Sequence, residues 1–567
     1  MSEILIRGGT VVDGTGAPAR KADVRVRDGR VVEIAPNLTV TGGEVIDATD
    51  ALVTPGFIDC HTHLDAAMFW DPTCDSIAQH GVTTVLIGNC SLGLAPARPK
   101  DRSQIADLFS YLEDIPLDAL MSLVPWKWET FPEYAAELAK APLAVNIVSL
   151  VSHSLLRIYV MGEDAWERAA TPEEIEQIAG ELSKALDAGA LGLSFSLFDK
   201  DRTGRRVPTA YADDAELDRL FQEVGARKGV FQLITSGTVS EDLDRVGPIA
   251  ARHGVTVLHN ALLDLADQPE RSGQQIAALA RLRSEGARMF TMMSPRTFDV
   301  EVNFHATLCF INYPVWNEVI QAPQEKKRAL LAAPEWRARA RAEFASVTHP
   351  LFPVDQSEAI RISAIGPGVD PSWIDRSLKD LVEARGGDIS DVLADWVLEN
   401  DLQAKFVFPL GNTNLAKVGA LLRCPEVLVG GSDAGAHVQM FCATGDTTLF
   451  LSEYVRDRAV FSIEEGIHQL TGRQAEILNL PDRGRLEVGS PADIVVFRLE
   501  ELSWEPQYLV RDPVNGEARY TRPAGGFRYT LINGEIVQQT GMVTPARPAD
   551  FLPAPVRTDR RLESPVA

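Results

Sequence analysis

The 567-residue chain lacks any long hydrophobic run. No stretch of about 18 consecutive apolar residues occurs, so no transmembrane helix is expected. The first nine residues contain neither a basic segment nor a long apolar segment, so we predict no secretory signal peptide. These absences predict a cytoplasmic protein that does not bind membranes.

Cysteine and basic residues are also scarce. Six cysteines are scattered along the chain, which is typical of thiols in a reducing compartment rather than of a disulfide framework. Lys and Arg total 55 against 79 Asp and Glu, which gives a net charge of −24. A surface of this sign repels nucleic acid and anionic lipid, so neither is an expected partner.

Both ends of the chain consist of short β-rich segments separated by Gly and Asp. Neither end is long enough to bury a sound core alone. We therefore predict one small β-sandwich domain built from residues 1–51 and 482–545. Residues 546–567, which are rich in Pro and Arg, are expected to form a C-terminal arm.

The middle of the chain, residues 52–481, alternates apolar runs of strand length with helical patterns. Such alternation predicts an α/β fold whose parallel strands are buried on both faces. Eight units of this kind would close a (β/α)8 TIM barrel, and a doubly wound open sheet is the competing topology. Thr171 and Glu174 form a capping-box pattern before a helix over 172–186, and a second helix is predicted over 214–226. The candidate strands are 52–58, 83–87, 143–150, 191–195, 229–234, 256–259, 289–293 and 427–429.

The regular spacing fails before the last predicted strand. Residues 296–400 are long and mixed, with tryptophans in or near basic helical stretches such as 326–341. A connection of this length in a compact domain is usually functional. We predict an inserted lid or subdomain on the side where barrel active sites form, with a packing decoration as the alternative.

The strongest chemical signal is the pair of histidines in Asp59-Cys60-His61-Thr62-His63. Residues i and i+2 of a strand lie on the same face, so the two imidazoles point together at the carboxyl end of the first barrel strand. Two convergent imidazoles are suited to a divalent metal such as zinc. A bare His-x-His is weak evidence, but here it ends an apolar strand that follows a Pro-Gly turn.

Three further side chains of metal-ligand type end predicted strands. Cys90 ends the second strand, His259 the sixth and Asp433 the eighth. A thiolate is a strong zinc ligand. Each residue alone would more often be structural, but four strand ends with ligand-type side chains predict one shared site.

At these residues the chain resembles the amidohydrolase superfamily, and within it the D-aminoacylase (N-acyl-D-amino-acid deacylase) group. The resemblance implies a metal-bearing TIM barrel with a small β-sandwich, and it covers nearly the whole chain except the insertion. It also implies that Cys90 takes the place that a carboxylated lysine holds in hydantoinases. The matching segments are His61-Thr62-His63, Gly81-Val82-Thr83-Thr84, Gly88-Asn89-Cys90, residues 189–194, His259, Gly431-Ser432-Asp433 and residues 484–493.

The chain departs from this group at two positions. The fifth strand normally ends in a metal-binding histidine, whereas here Gln232 is the nearest polar candidate, and an amide is a poor zinc ligand. We therefore expect one tightly bound zinc, with the second site in doubt. The lysine that follows the sixth-strand histidine in the group is replaced by Asn260. Arg296 or Arg157 could supply the missing charge for a substrate carboxylate, or either could be a surface or lid residue.

Two other histidines near strand ends are candidates for supporting roles. His153 ends the third strand, where it could donate to the substrate carbonyl or form a structural hydrogen bond. His437 lies near Asp433 and could orient it, although a loop histidine without a role is more common.

These residues predict zinc-dependent hydrolysis of an amide bond. Zinc is expected to be held by His61, His63, Cys90 and Asp433, with His259 in the second position or close by, and Asp433 is expected to shuttle the proton from water to the leaving amine. The expected substrate is a small-molecule amide, namely an N-acyl (D-)amino acid or a similar N-acyl amine. Hydrolysis of a cyclic amide, a formamide or another non-peptide C–N bond, and a non-catalytic binding or assembly role, remain alternatives. A homo-oligomer remains open.

Overall fold

The computed structural model describes residues 3–39, 42–305, 307, 309–347, 349 and 351–555. Its centre is a sheet of eight parallel strands that neighbour one another in chain order, without the order reversal of a doubly wound sheet. The α/β class predicted from the sequence is confirmed. The strands of this central sheet are Phe57–Asp59, Val82–Ile87, Asn146–Ser152, Gly192–Ser196, Val230–Ile234, Thr256–Asn260, Arg288–Met293 and Val427–Val429.

The prediction of one continuous strand over 52–58 was wrong. Leu52–Pro55 pairs with a C-terminal strand, and only Phe57–Asp59 enters the central sheet. Gly56 separates the two, and a Cβ there would lie 2.1 Å from Thr83 Oγ1. The Pro55-Gly56 turn therefore passes the chain from one sheet to the other in a space that only glycine fits.

The two edges of the central sheet meet at its carboxyl end. Just beyond the first and eighth strands, the Asp433 amide donates to the His61 carbonyl at 3.0 Å and the His63 amide donates to the Ala434 carbonyl at 2.8 Å. The carboxyl ends of the first and last strands are therefore joined directly. The apolar residues of the strands are buried except for Ile234, as expected for parallel strands covered on both faces.

Helices follow most of the central strands. The predicted cap is present at Pro172–Asp187, because Thr171 Oγ1 accepts from the Glu174 amide and the Glu174 carboxylate accepts from the Thr171 amide. The helix Asp214–Ala226 has the predicted bounds. The other α-helices outside the insertion are Arg102–Glu113, Leu117–Leu123, Phe131–Leu138, His153–Met161, Val239–His253, Arg271–Ser284, Leu415–Leu422, Asp446–Leu449, Ile463–Leu470 and Gly472–Ile477.

The two chain ends share a seven-stranded sheet. Its N-terminal strand Leu52–Pro55 pairs antiparallel with the C-terminal strand Ile494–Phe497. A four-stranded N-terminal sheet packs against it through buried aliphatic side chains. The remaining strands of the larger sheet are Thr10–Val11, Arg20–Lys21, Tyr529–Ile532, Glu535–Gln539 and Met542–Val543, and those of the smaller sheet are Glu3–Arg7, Asp23–Arg27, Arg30–Ala35 and Glu44–Asp47.

The segment between the seventh and eighth central strands has a hydrophobic core of its own, in which Trp316, Trp336 and Trp396 are buried. The single helical stretch expected over 326–341 is two helices, because Pro334 lacks the amide that would continue the first. A three-stranded sheet, which the sequence did not reveal, joins the segment's two ends. Its helices are Pro314–Gln321, Gln324–Ala332, Pro334–Ser346, Leu378–Arg385 and Ile389–Glu399, and its strands are Phe298–Val302, Arg361–Ala364 and Lys405–Gly411.

The C-terminal segment lies across the amino ends of the central strands. The Leu552 amide donates to the Ile147 carbonyl at 2.8 Å, and the Ala554 amide donates to the Gly189 carbonyl at 3.0 Å. The predicted arm beyond residue 555 lies outside the described residues. A separate hairpin comprises Tyr508–Arg511 and Ala518–Thr521. Among the described residues, no helix has both the length and the apolar character needed to cross a bilayer.

Candidate active site

Two histidines and a cysteine converge at the carboxyl end of the central sheet. His61, His63 and Cys90 are buried, and each offers a ligand atom that lies within 4.8 Å of the others. Cys90 Sγ is 3.2 Å from His61 Nε2. His61 and His63 follow the first central strand, and Cys90 follows the second. The three side chains therefore form one cluster.

Asp433 completes this group from the opposite edge of the sheet. Its Oδ1 lies 3.5 Å from His61 Nε2 and 3.4 Å from His63 Nε2. Asp433 has a φ of 70°, and Gly431 and Gly435 beside it also have positive φ values. This Gly-rich turn folds the chain back so that the carboxylate faces the two imidazoles.

Burial and neighbouring charges set the ionisation of these side chains. Burial lowers the pKa of His61 to about 3 and raises the pKa of the Cys90 thiol to about 12. Burial also opposes the charged forms of His63 and Asp433, but their attraction to each other and to neighbouring groups outweighs it. The pKa of His63 therefore lies well above its ordinary value, and that of Asp433 lies well below.

The donor set fits a divalent transition metal. Two imidazole nitrogens, a thiol sulfur and a carboxylate oxygen converge, and this combination of ligands suits zinc and neighbouring metals. A divalent cation favours the thiolate of Cys90 and the neutral form of His63. Metal binding would therefore displace the protons that these two side chains carry when no metal is bound.

Glu113 is a site residue that the sequence did not reveal. It is the last residue of the helix Arg102–Glu113, and it is 4% exposed. Its Oε1 lies 3.5 Å from His63 Nδ1, on the side of the ring away from the cluster. Burial raises the pKa of Glu113 to about 8. No motif marks this glutamate, because its role depends on how the helix packs over the sheet.

His437 lies between two carboxylates of the site. Its Nε2 is 3.8 Å from Asp433 Oδ2 and 3.8 Å from Glu113 Oε2. The imidazole therefore lies close to both acids without a hydrogen bond to either, and an orienting role for it stays a prediction.

His259 lies outside the group of three ligand atoms. Its Nδ1 is 2.8 Å from Gln275 Nε2 and its Nε2 is 3.1 Å from Thr235 Oγ1. Nδ1 also lies 3.0 Å from Thr291 Oγ1, and burial lowers the pKa of His259 to about 3. A metal-binding role for His259 stays a prediction, and it would require exchange of one of these hydrogen bonds.

Gln232 supports Cys90 rather than lining the cavity. Its Oε1 accepts from the Cys90 amide at 2.7 Å. Cys90 itself has a φ of 58°, a conformation that a non-glycine residue adopts at some cost. Gln232, which stands where the resemblance implies a histidine, is thus hydrogen-bonded to the main chain that presents the thiol.

A cavity of about 430 Å³ opens onto the cluster. Cys90, Glu113, Asp433 and His437 line it on the polar side, together with Asp199, Lys200 and Arg206. The insertion contributes Phe298, Ile311, Asn312, His349 and Leu351 to its wall. The cavity is large enough for a small organic substrate, and its other apolar lining residues are Leu112, Leu197, Phe198 and Ile234.

Comparison with known proteins identifies the family. Residues 44–538 match the sequence model described as "Amidohydrolase family". The chain belongs to the amidohydrolase family. The resemblance inferred from the sequence is thereby confirmed, and the histidine pair, Cys90 and Asp433 lie in the matched region.

Relatives and solved structures of similar proteins extend over nearly the whole amidohydrolase chain. An uncharacterized protein of Mycobacterium tuberculosis is 30% identical over 533 residues, which is 87% of this chain and 84% of the relative. The N-acyl-D-aspartate deacylase of Alcaligenes xylosoxydans xylosoxydans is 28% identical over 571 residues, or 97% and 96% of the two chains. A crystal structure of N-acyl-D-glutamate deacylase from Bordetella bronchiseptica, complexed with zinc and a phosphonate inhibitor, shares the fold with a TM-score of 0.65, at 24% identity over 97% of this chain and 99% of that one.

In this amidohydrolase, the residues proposed to bind substrate from the third strand are engaged elsewhere. His153 and Arg157 are fully buried, and both contact the carboxylate of Glu216. Neither lines the cavity at the metal-ligand cluster. Glu216 stands on the next helix but one, so the sequence alone gave no sign that it would pair with these two residues.

Arg296 likewise pairs with a buried acid. Its guanidinium donates to Asp446 Oδ1 at 2.7 Å and to the carbonyls of Ser432 and Ala443. It does not line the cavity. Because Ser432 precedes Asp433, Arg296 is hydrogen-bonded to the turn that carries the site carboxylate, and a substrate-binding role for it stays a prediction.

We expect the Glu216→Gln variant to lose stability but not activity. The change leaves Arg157 buried without its counter-charge, and breaking a buried ion pair costs about 3–5 kcal/mol. Chemical denaturation should show this loss, with kcat and KM within about threefold of the wild type. Arg245→Met is the control. It removes a half-exposed ion pair with Asp214, which lies on the same helix as Glu216, and it should cost less than about 1 kcal/mol. A stable Glu216→Gln variant with a raised KM would contradict this prediction and would indicate that Arg157 binds substrate.

Proposed function

We propose that this amidohydrolase is a zinc-dependent enzyme that removes the acyl group from N-acyl-D-amino acids. The observation that carries the proposal is the buried group of His61, His63, Cys90 and Asp433 at the floor of a cavity of about 430 Å³. The similarity to an N-acyl-D-aspartate deacylase, which aligns over 97% of the chain, supports the substrate class.

His61, His63, Cys90 and Asp433 are the residues that would hold the zinc ion. When bound, zinc supplies Lewis-acid catalysis, because it lowers the pKa of water and polarises an amide carbonyl. Glu113 acts behind His63, since a carboxylate at Nδ1 favours the tautomer whose Nε2 lone pair faces the ligand group. We infer one tightly bound ion per chain, because the fifth strand offers Gln232 instead of a histidine.

Asp433 carries the proton in the proposed reaction. It accepts a proton from the attacking water as the new carbon–oxygen bond forms, and it returns the proton to the nitrogen as the carbon–nitrogen bond breaks. The products are a carboxylate and a protonated amine, which together account for both protons of the water. His437, which lies between Asp433 and Glu113, keeps the Asp433 carboxylate directed into the cavity.

The architecture proposed around this site has four parts. The central strands form a closed (β/α)8 barrel within residues 52–481, and its carboxyl end carries the site as barrels do. Residues 1–51 and 482–545 form the small β-sandwich, and 546–567 the arm. Residues 296–400 form the inserted lid, which is consistent with the cavity wall that Phe298, Ile311 and Leu351 provide. A lid of this kind excludes bulk water from the reaction.

A substrate panel tests the proposal against its alternatives. The zinc-loaded enzyme should release free amine from N-acetyl-D-amino acids, and a colorimetric assay for primary amines measures it directly. The matched N-acetyl-L-amino acids test the inferred stereochemistry. Faster turnover of cyclic imides or N-formyl amines would favour the alternative hydrolase activity, and no turnover of any amide would favour a binding role.

A further inference from the structure

The loop after the fourth central strand carries four basic side chains on a tight hairpin. We call residues 199–207 the basic hairpin. Lys200 and Arg206 face each other across it as an antiparallel bridge, and Asp201 Oδ1 accepts from the amides of Thr203 and Arg205 at its tip. The turn is therefore fixed by its own hydrogen bonds, and residues paired across it extend their side chains to the same face.

Two of the four basic side chains are paired with carboxylates, and two are not. Arg202 Nη2 lies 2.9 Å from Asp107 Oδ1, and Arg205 Nε lies 3.0 Å from Asp201 Oδ2. Lys200 and Arg206 line the cavity, and neither forms an ion pair with a carboxylate in the described part of the chain. Lys200 Nζ donates a long hydrogen bond of 3.5 Å to the neutral Asn312 Oδ1.

Unpaired cations are unexpected in a chain with 79 acidic and 55 basic residues. Of the three acidic side chains that line the cavity, Glu113 and Asp433 lie against the histidine pair, and Asp199 accepts from Ser196 Oγ at 2.5 Å. His349 beside Lys200 is kept neutral, because burial and then the Lys200 charge lower its pKa to about 4. Lys200 and Arg206 are therefore the lining groups that attract an anion.

The two arginines first considered for a substrate carboxylate are unavailable to it. Arg157 is bound to Glu216, and Arg296 is bound to Asp446. We propose that Lys200 and Arg206 form a subsite that binds a carboxylate of the substrate during amide hydrolysis. This inference rests on the proposed function for its reaction, and it makes the preferred substrates N-acyl amino acids that retain a free carboxylate rather than simple N-acyl amines.

Three substrates separate the possible sources of the carboxylate. N-Acetyl-D-leucine carries only a main-chain carboxylate, N-acetyl-D-isoasparagine carries only a side-chain carboxylate, and N-acetyl-D-leucinamide carries none. Lys200→Met and Arg206→Met should each raise about tenfold the KM of the substrate whose carboxylate the subsite binds. A charge-assisted contact contributes about this factor to affinity. Both variants should leave kcat within about threefold, and kcat/KM for the leucinamide should not change.

Arg205→Met is the matched control, because it removes a charge from the same hairpin that is already paired with Asp201. It should leave all three KM values within about twofold of the wild type. An equal loss of activity on the leucinamide in the Lys200 or Arg206 variants would overturn the subsite, since that substrate has no carboxylate to bind.

A binding measurement tests the subsite independently of catalysis. Calorimetry on the holoenzyme with 4-methylpentanoate should give a dissociation constant that rises about tenfold in Lys200→Met and is unchanged in Arg205→Met. If the wild type hydrolyses none of the three substrates, the proposed function fails, and the calorimetric comparison still decides the subsite. Binding of 4-methylpentanoate that is equal in wild type and both cavity variants would refute it.

Discussion

Cys90→Ser is expected to lose its bound metal and at least about 10²-fold of its turnover, with the fold retained. The Cys90 sulfur is 3.2 Å from His61 Nε2 at the centre of the ligand group. A serine hydroxyl is a far poorer ligand than a thiolate at the same place. Elemental analysis of the purified variant measures the metal, and far-ultraviolet circular dichroism checks the fold.

Cys74→Ser is the matched control for this prediction. Cys74 is as deeply buried as Cys90 but stands outside the ligand group. Its variant should keep both metal and turnover, whatever it loses in thermal stability. Cys309, Cys424 and Cys442 provide further controls of the same kind. A Cys90→Ser enzyme with full metal content and wild-type kcat would show that the thiol only packs.

Asp433→Asn is expected to lower kcat by at least about 10²-fold, with little change in thermal unfolding. The amide keeps the shape of the carboxylate but cannot accept a proton at neutral pH, and general acid–base catalysis contributes about 10²–10⁴-fold. Loss of a charged contact to His61 and His63 adds to the effect. Steady-state kinetics on N-acetyl-D-leucine and thermal denaturation measure the two quantities.

The opposite outcome for Asp433 has a clear structural meaning. Asparagine adopts the left-handed conformation of this turn as readily as aspartate does. If Asp433 only shaped the turn, the Asn variant would stay within a few-fold of the wild type. Glu426→Gln, which changes a carboxylate before the eighth strand that faces Arg283, should be nearly silent and serves as the control.

The part of the site that follows from strand periodicity could be predicted. His61 and His63 are two residues apart at the end of a strand, so their convergence follows from local geometry. Cys90 and Asp433 end other strands, and the carboxyl ends of parallel strands meet at one edge. The same reasoning recovered all eight central strands, apart from the turn at Gly56.

The partners of charged residues could not be predicted, because they depend on packing between distant segments. Glu113 reaches His63 only through the position of its helix over the sheet. Arg157 pairs with a glutamate 59 residues away, and Arg296 with an aspartate 150 residues away. A sequence shows that such charges exist, but it does not show which of them are already neutralised inside the fold. For the same reason, only the structure shows that Lys200 forms no ion pair within the described part of the chain.

Titration of the metal-free protein with zinc tests the central claim most directly. Chelator-treated protein should not hydrolyse N-acetyl-D-leucine, and turnover should rise in proportion to added zinc until it reaches its maximum at about one ion per chain. Equilibrium dialysis run in parallel measures the bound metal. Full turnover without metal, or a maximum reached only at two ions per chain, would contradict a single zinc site built from His61, His63, Cys90 and Asp433.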